Sequence, residues 1–150
     1  LLFLPTLSDA WSDVASLDLV GLTGCGADCD FGFAGGFVAD EWVYLTPYKK
    51  KYSSLLQYSL TGRVVRFNKS HWEQFETVDL KSSTGGLAGF ARSFRYGDYG
   101  YFTTAVEGSI VRLDLRDFTS TNVFDLTTIK PGLVGLRHVW RVGAHVYATT

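Results

Sequence analysis

The chain contains several short runs in which apolar and polar residues alternate. In one of them the large side chains of Trp42 and Tyr44 alternate with Val43 and Leu45. Alternation with a period of two predicts half-buried β-strands, and no stretch has the 3.6-residue period of an amphipathic helix. Between residues 33 and 80, such runs lie at residues 33–39, 41–46, 63–67 and 74–80. The pattern therefore predicts an all-β protein built from short strands.

The same set of strands recurs along the sequence. A Gly-Phe-Ala-Gly-Gly-Phe head at residues 32–37 matches residues 89–94 and, more loosely, residues 135–140. The match continues without a gap through three further positions, which are Trp42/Tyr99/His145, Tyr44/Tyr101/Tyr147 and Thr46/Thr103/Thr149. A fixed period of this kind is the signature of a repeat architecture.

Two more segments follow the same period. Residues 64–67 (Val-Val-Arg-Phe) match residues 110–113 (Ile-Val-Arg-Leu), and the tails at 11–19, 72–80 and 118–126 each open with an aromatic residue and end in Asp-Leu. The spacing from Gly89 to Gly135 is 46 residues, whereas the spacing from Tyr44 to Tyr101 is 57. The first repeat unit therefore carries an insertion after Thr46, and a shorter one precedes its head.

Four strands in a unit of about 45 residues are typical of a β-propeller blade. Residues 1–150 are then a fragment of one β-repeat domain, a partial β-propeller with two full four-stranded blades and parts of two more. Its units are a tail (1–20), two complete units (21–83 and 84–130) and a head (131–150). Closed propellers typically have at least four blades, so we expect further blades in cis or self-association. An open β-solenoid and a two-sheet sandwich are the alternative architectures.

These repeats resemble those of uncharacterised algal and oomycete repeat proteins with kelch-like four-stranded units. The resemblance is carried by the head at 32–37, by Val-Tyr-Leu-Thr-Pro-Tyr at 43–48, by Val-Val-Arg at 64–66 and by Phe-Asp-Leu at 124–126. The second and third heads depart from the Gly-Gly pair of the first and have Arg92-Ser93 and His138-Val139 in its place. The resemblance implies propeller-like repeats and implies no activity.

Composition excludes several classes of protein. Hydrophobic residues make up 46% of the chain and its net charge is -1, which fits a globular protein and gives no reason to expect a nucleic-acid partner. No apolar run reaches the roughly 18 residues of a membrane helix. The sequence also contains no catalytic or cofactor-binding motif, so we expect a non-catalytic protein without a cofactor or bound metal.

The two insertions of the first unit are the candidate ligand-binding loops. In a propeller, the turn before the first strand of a blade and the turn between its second and third strands lie on the same face, and binding residues concentrate on such loops. Lysines beside tyrosines could hold an acidic or sugar-like partner, whereas the alternative is a tolerated surface insertion with solvated charges. The candidate residues are Asp28 and Asp30 in one loop (22–30) and Tyr48, Lys49, Lys50, Lys51 and Tyr52 in the other (48–54).

Cys25 and Cys29 could form a small disulfide or remain thiols. A zinc site is not expected, because zinc takes four ligands and no neighbouring Cys or His pair supplies the others. Asn68-Lys69-Ser70 is an N-glycosylation sequon in a predicted turn, which favours a secreted protein. For the recurring Arg66/Arg112 and Asp18/Asp79/Asp125 we predict scaffold pairing or turn capping.

The leading functional hypothesis is a non-catalytic scaffold or binding module that recognises protein or carbohydrate through the loops of the first unit. The first alternative is a propeller-type glycan-active enzyme, which needs two carboxylates at a set separation. Asp40, Glu41 and Asp98 would be the candidates for those carboxylates. The second alternative is a purely structural repeat array.

Overall fold

A computed structural model describes residues 2–3, 15–16, 31–51 and 58–150 of the chain. The described residues form an all-β structure of antiparallel sheets with one single-turn helix, α1 (Leu80–Ser83), and one short 3-10 turn (Leu126–Thr128). The strands are β1 (Leu2–Phe3), β2 (Ala15–Ser16), β3 (Phe31–Ala39), β4 (Trp42–Lys51), β5 (Tyr58–Leu60), β6 (Arg63–Asn68), β7 (Phe75–Asp79), β8 (Phe90–Tyr96), β9 (Tyr99–Thr104), β10 (Ser109–Asp114), β11 (Thr121–Asp125), β12 (His138–Val142) and β13 (His145–Thr149). The prediction of an all-β fold is confirmed.

The first large sheet has the strand order β3-β4-β6-β7, and β5 pairs with the far end of β4. The prediction of a loop at residues 48–54 is wrong for its first part, because β4 continues to Lys51. Lys49 lies opposite Gly32 of β3 on one side and opposite Leu60 of β5 on the other. Pairing on both sides thus satisfies the backbone groups of Lys49 and Lys50, and Lys51 is paired with β5 alone.

The second large sheet is a four-stranded meander, β8-β9-β10-β11, and β12 pairs with β13 in a two-stranded sheet. The register of β12–β13 repeats that of β8–β9: Trp140 lies opposite Tyr147 as Phe94 lies opposite Tyr101. At the matched position of the first sheet, Phe37 lies opposite Tyr44. The sequence match therefore corresponds to the same cross-strand pairing in all three sheets.

Each of these three cross-strand pairs is a stacked aromatic pair. The ring centroids are 4.8 Å apart in Phe37–Tyr44, 5.1 Å in Phe94–Tyr101 and 5.9 Å in Trp140–Tyr147, and the planes in each pair lie within 15° of parallel. Stacked aromatic pairs contribute about 0.5–1.5 kcal/mol beyond their buried area. The repeat thus preserves a favourable contact across the first hairpin of each sheet.

The main core lies between the two large sheets. Tyr44 and Val64 of the first sheet pack with Phe102, Val111 and Leu113 of the second, and all five are at most 1% exposed. Full burial of a large apolar side chain contributes about 1.5–3 kcal/mol. The two sheets are therefore joined by a hydrophobic interface to which β8, β9 and β10 of the second sheet all contribute.

The two large sheets pack with unlike faces in contact. The second sheet presents Val111 and Leu113 to this core, whereas their repeat equivalents in the first sheet, Val65 and Phe67, lie on that sheet's opposite face in a second buried cluster. Side chains of a strand alternate between the two faces of a sheet. The first sheet therefore contacts the second through the face that includes Tyr44 and Val64. The second sheet contacts the first through the face whose equivalent in the first sheet includes Val65 and Phe67.

Repeated aspartates end the fourth strands. The Asp79 carboxylate accepts a hydrogen bond from the Lys81 N–H at 3.0 Å and caps α1, and the Asp125 carboxylate accepts from the Thr127 N–H at 2.9 Å and caps the 3-10 turn. An aspartate at this position satisfies an N–H that the first turn leaves without a partner. The capping prediction for these two aspartates is confirmed, and Asp18 lies outside the described residues.

Candidate binding cleft

The predicted site residues are only partly described. Cys25, Asp28, Cys29, Asp30 and Tyr52 lie outside the described residues, so the disulfide prediction and three of the seven predicted ligand-binding residues stay predictions. Lys50 and Lys51 belong to the end of β4. Tyr48 and Lys49 precede them, with the Lys49 ammonium 5.4 Å from the centre of the Tyr48 ring.

Tyr48 lines a cleft at the end of the sheets where the first strands begin. The cleft has a volume of about 550 Å³, and the described residues that line it come from three units. They are Ala34, Tyr48, Ala91, Arg92, Ala105, Val106, Arg137 and His138. We call this site the cationic cleft, because its described lining includes two arginines and a histidine and no carboxylate.

The cleft is built at a repeated backbone irregularity. Pairing between β3 and β4 shifts register between Phe33 and Gly35, and pairing between β8 and β9 shifts between Phe90 and Arg92. Such bulges leave one residue unpaired and redirect the neighbouring side chains. Ala34 and Ala91 are the unpaired residues, so the side chain that follows each of them is placed by the bulge.

The residue after the bulge differs between units. It is Gly35 in the first unit, with a φ of +151°, and Arg92 and His138 occupy the matched positions in the second and third. Sequence reasoning noted these departures from the Gly-Gly pair but gave them no role. The three positions are 57 and 46 residues apart, and only the folded arrangement brings Arg92 and His138 to one cleft.

The basic side chains of the cleft differ in how firmly hydrogen bonds to the backbone hold them. One terminal nitrogen of Arg92 donates hydrogen bonds to the carbonyl oxygens of Ala34 at 3.0 Å and Ala91 at 2.9 Å, which anchors this half-buried side chain across the junction of β3 and β8. Arg137 and His138 are exposed. An anchored arginine beside an exposed arginine and an exposed imidazole can present hydrogen-bond donors to an anionic group.

One carboxylate lies close in sequence to the cleft. Glu107 follows Val106 in the β9–β10 turn, and its Oε2 atom is buried without a hydrogen bond among the described residues. It is not part of the cleft's described lining. The charge of the lining itself is therefore positive.

The opposite rim of the sheets carries the carboxylates that a glycosidase would require. Each is ion-paired: Asp40 with Arg95 at 3.2 Å, Glu41 with Lys69 at 3.2 Å, and Asp98 with Arg116 at 3.7 Å. They lie in the hairpin turns that the sequence predicts, and all three are exposed. These exposed, ion-paired carboxylates lack the apolar surroundings that a general acid for glycoside cleavage typically has.

The same rim includes two aspartates with lowered pKa values. Hydrogen bonds from the Arg116 side chain, together with its backbone N–H, lower the pKa of Asp114. Hydrogen bonds from the Ser120 hydroxyl and from the Ser120 and Thr119 N–H groups lower the pKa of Asp117 to about 2. Both carboxylates are thus held ionised as structural acceptors in the β10–β11 turn.

The sequon asparagine ends β6. Its Oδ1 atom accepts hydrogen bonds from the N–H groups of Ser70 at 2.9 Å and His71 at 3.1 Å, forming the turn that the sequence predicts. Glycosylation of Asn68 stays a prediction.

Comparison with known proteins adds no relative. No family model matches the chain, and no curated protein or solved structure is significantly similar to it. The described residues contain no group of three or more His, Cys, Asp or Glu side chains suited to a metal ion. In the same residues, no helix is long and apolar enough to cross a membrane.

Proposed function

We propose that the chain is a non-catalytic binding module made of β-propeller-type repeats, and that the cationic cleft is its ligand site. The observation that carries the proposal is the cleft's lining by Tyr48, Arg92, Arg137 and His138 without a described carboxylate. Membership of the kelch-like repeat family described above is part of the same proposal.

The propeller architecture is supported by the way the sheets approach one another. The first strands β3, β8 and β12 are neighbours, whereas the fourth strands β7 and β11 make no comparable contact. Sheets that meet at their first strands and diverge at their fourth strands form a wedge. A series of such wedges curves around the first strands as propeller blades curve around a channel, and a straight solenoid or a two-sheet sandwich has no reason to be wedge-shaped.

We propose an acidic carbohydrate as the ligand class. A cleft of about 550 Å³ lies in the usual range for small-molecule sites, whereas a protein partner generally needs a contact of about 800 Å² on each side. The cations would hold a carboxylate or sulfate group of the sugar. The half-buried Tyr48 would contribute an apolar ring face to the same ligand.

The test is a titration of the purified chain with uronic-acid oligosaccharides and with neutral oligosaccharides of the same length. We expect saturable, salt-sensitive binding of the acidic series alone, and recovery of the sugar unchanged. Arg137→Glu should weaken binding at least tenfold, because a charge-assisted hydrogen bond contributes about 1.5–3 kcal/mol. Tyr48→Ala should weaken it as well.

Lys130→Glu is the matched control, because it makes the same charge change at an exposed residue outside the cleft lining. Equal losses from Arg137→Glu and Lys130→Glu would mean that binding reflects net charge and not the cleft. Cleavage of the sugar would favour the glycan-active alternative, binding of acidic peptides alone would favour a protein partner, and no binding at all would favour a structural array.

A further inference from the structure

Arg92 joins the two bulges at which the cationic cleft is built. Both of its side-chain hydrogen bonds use the same terminal nitrogen, Nη1, which donates to the carbonyl oxygens of Ala34 at 3.0 Å and Ala91 at 2.9 Å. These two residues are the ones that the bulges leave out of the strand pairing. A backbone carbonyl outside the ladder of a sheet needs another donor. The two bulges therefore hold the guanidinium group of Arg92 in one orientation.

The other two nitrogens of this guanidinium group keep their N–H groups free. Neither Nε nor Nη2 of Arg92 has a hydrogen-bond or ion-pair partner among the described residues. Neither is among the buried polar atoms of those residues that lack a partner, so both reach accessible space, and Arg92 lines the cleft. Nε–H and one Nη2–H lie side by side along one edge of the planar group. This forked edge matches the two oxygens of a carboxylate.

Two other arginines of the chain show what the forked edge binds. The Nε and Nη2 atoms of Arg116 donate to the two carboxylate oxygens of Asp114 at 3.0 and 2.6 Å. The same atoms of Arg66 donate to one carboxylate oxygen of Glu76 at 3.2 and 2.6 Å. Arg92 has the same edge in a cleft whose described lining includes no carboxylate. We therefore expect a ligand to supply the carboxylate.

The other basic side chains of the cleft are not held in this way. Arg137 and His138 are exposed, and their side chains make no hydrogen bond to a described residue. An exposed arginine loses rotamer freedom when it binds a ligand, whereas Arg92 is already held by two carbonyls. Preorganisation of this kind favours binding. Arg92 can therefore fix the direction of an anion, and Arg137 supplies positive charge without a fixed direction.

We propose that Arg92 is the specificity-determining residue of the cationic cleft, and that its Nε–H and Nη2–H groups bind a carboxylate of the ligand. The acidic sugar that the cleft takes is then a uronic acid, bound through both oxygens of its carboxylate. Arg137 attracts the ligand by charge alone. The identity of the ligand as a sugar rests on the proposed function, whereas the carboxylate site depends only on the geometry of Arg92.

The first test compares Arg92→Lys with Arg137→Lys in titrations with uronic-acid oligosaccharides. Both changes keep the positive charge, and a lysine at position 92 keeps donors for the two bulge carbonyls but has no forked edge. We expect Arg92→Lys to weaken binding about tenfold or more, and Arg137→Lys to weaken it no more than about twofold. The salt dependence of binding should be the same in both variants and in the wild type, because no charge is removed.

Equal losses in the two variants, or an unchanged affinity in Arg92→Lys, would overturn the inference and leave the binding function intact. Circular dichroism and the urea midpoint of Arg92→Lys establish that a loss of affinity is not a loss of fold.

The second test measures the carboxylate site without a sugar. Sodium acetate is titrated into the isotope-labelled wild-type chain, with sodium chloride at equal ionic strength as the control, and nuclear magnetic resonance follows the Nε–H signals of the arginines. The Arg92 and Arg137 signals are identified by their absence from the two lysine variants. We expect acetate to shift the Arg92 signal more than the Arg137 signal.

An acetate-induced shift of Arg92 that is no larger than that of Arg137 would overturn the inference. If acetate shifts the Arg92 signal selectively and no uronic-acid oligosaccharide binds, the carboxylate site stands and the proposed function fails. The two failures are therefore distinguished by two separate measurements.

Discussion

Arg66 links the two large sheets, and its removal is expected to be among the most destabilising single changes in the chain. The residue is 8% exposed, and its guanidinium lies between the rings of Trp42 at 4.6 Å and Phe118 at 4.1 Å. It donates hydrogen bonds to Glu76 at 2.6 Å, to the Tyr44 hydroxyl at 3.2 Å and to the Leu115 carbonyl. One side chain thus contacts strands of the first sheet and the β10–β11 turn of the second sheet at once.

The expected magnitude follows from what Arg66→Ala leaves behind. A cation–π contact between desolvated groups contributes about 2 kcal/mol, and a buried oxygen without a partner costs about 1–3 kcal/mol. The ion pair with Glu76 adds little, because Glu76 is half exposed. The lost cation–π contact and one unpaired buried oxygen together correspond to about 3–5 kcal/mol. We expect a loss of that size in the free energy of unfolding.

Urea unfolding followed by circular dichroism measures this loss. Arg66→Lys should lie between the wild type and Arg66→Ala, because an ammonium keeps the charge but loses the planar stacking and the forked donors. Arg116→Ala is the control: Arg116 also has an ion pair of 2.6 Å, to Asp114, but its side chain is 64% exposed. If Arg66→Ala and Arg116→Ala shift the urea midpoint equally, the linking role of Arg66 is refuted.

Two further predictions concern packing and pH. Gly100→Ala should lower the free energy of unfolding by about 1–3 kcal/mol through overpacking, because a Cβ there would lie 2.7 Å from the tip of the Phe37 ring, which is stacked on Tyr44; an unchanged urea midpoint would contradict this. The pKa of Asp117, lowered to about 2 by its hydrogen bonds, lies below its unfolded value, so its contribution to stability is complete above about pH 4 and is lost as the pH falls through 2. Asp117→Asn should flatten the dependence of the unfolding midpoint on pH between 4 and 2, and an unaltered dependence would argue against these hydrogen bonds.

The strands were predictable where their packing imposes alternation. The run at residues 63–67 corresponds to β6 (Arg63–Asn68), and the run at 74–80 corresponds to β7 (Phe75–Asp79). The extension of β4 to Lys51 was not predictable, because three successive lysines show no apolar alternation. It depends on β5, which supplies a partner strand for the lysines.

The candidate cleft could be found only in part, and the reason is physical. Positions that pack between sheets must keep the same kind of side chain in every unit, as the aromatic pair Phe37–Tyr44 and its equivalents do. The position after the bulge is not held by such packing, and it changes from Gly35 to Arg92 to His138. A repeat protein can therefore alter that residue without a cost to its core. In this chain, the departures from the repeat are a better guide to the proposed binding surface than the residues that recur, and both described departures at this position line the cationic cleft.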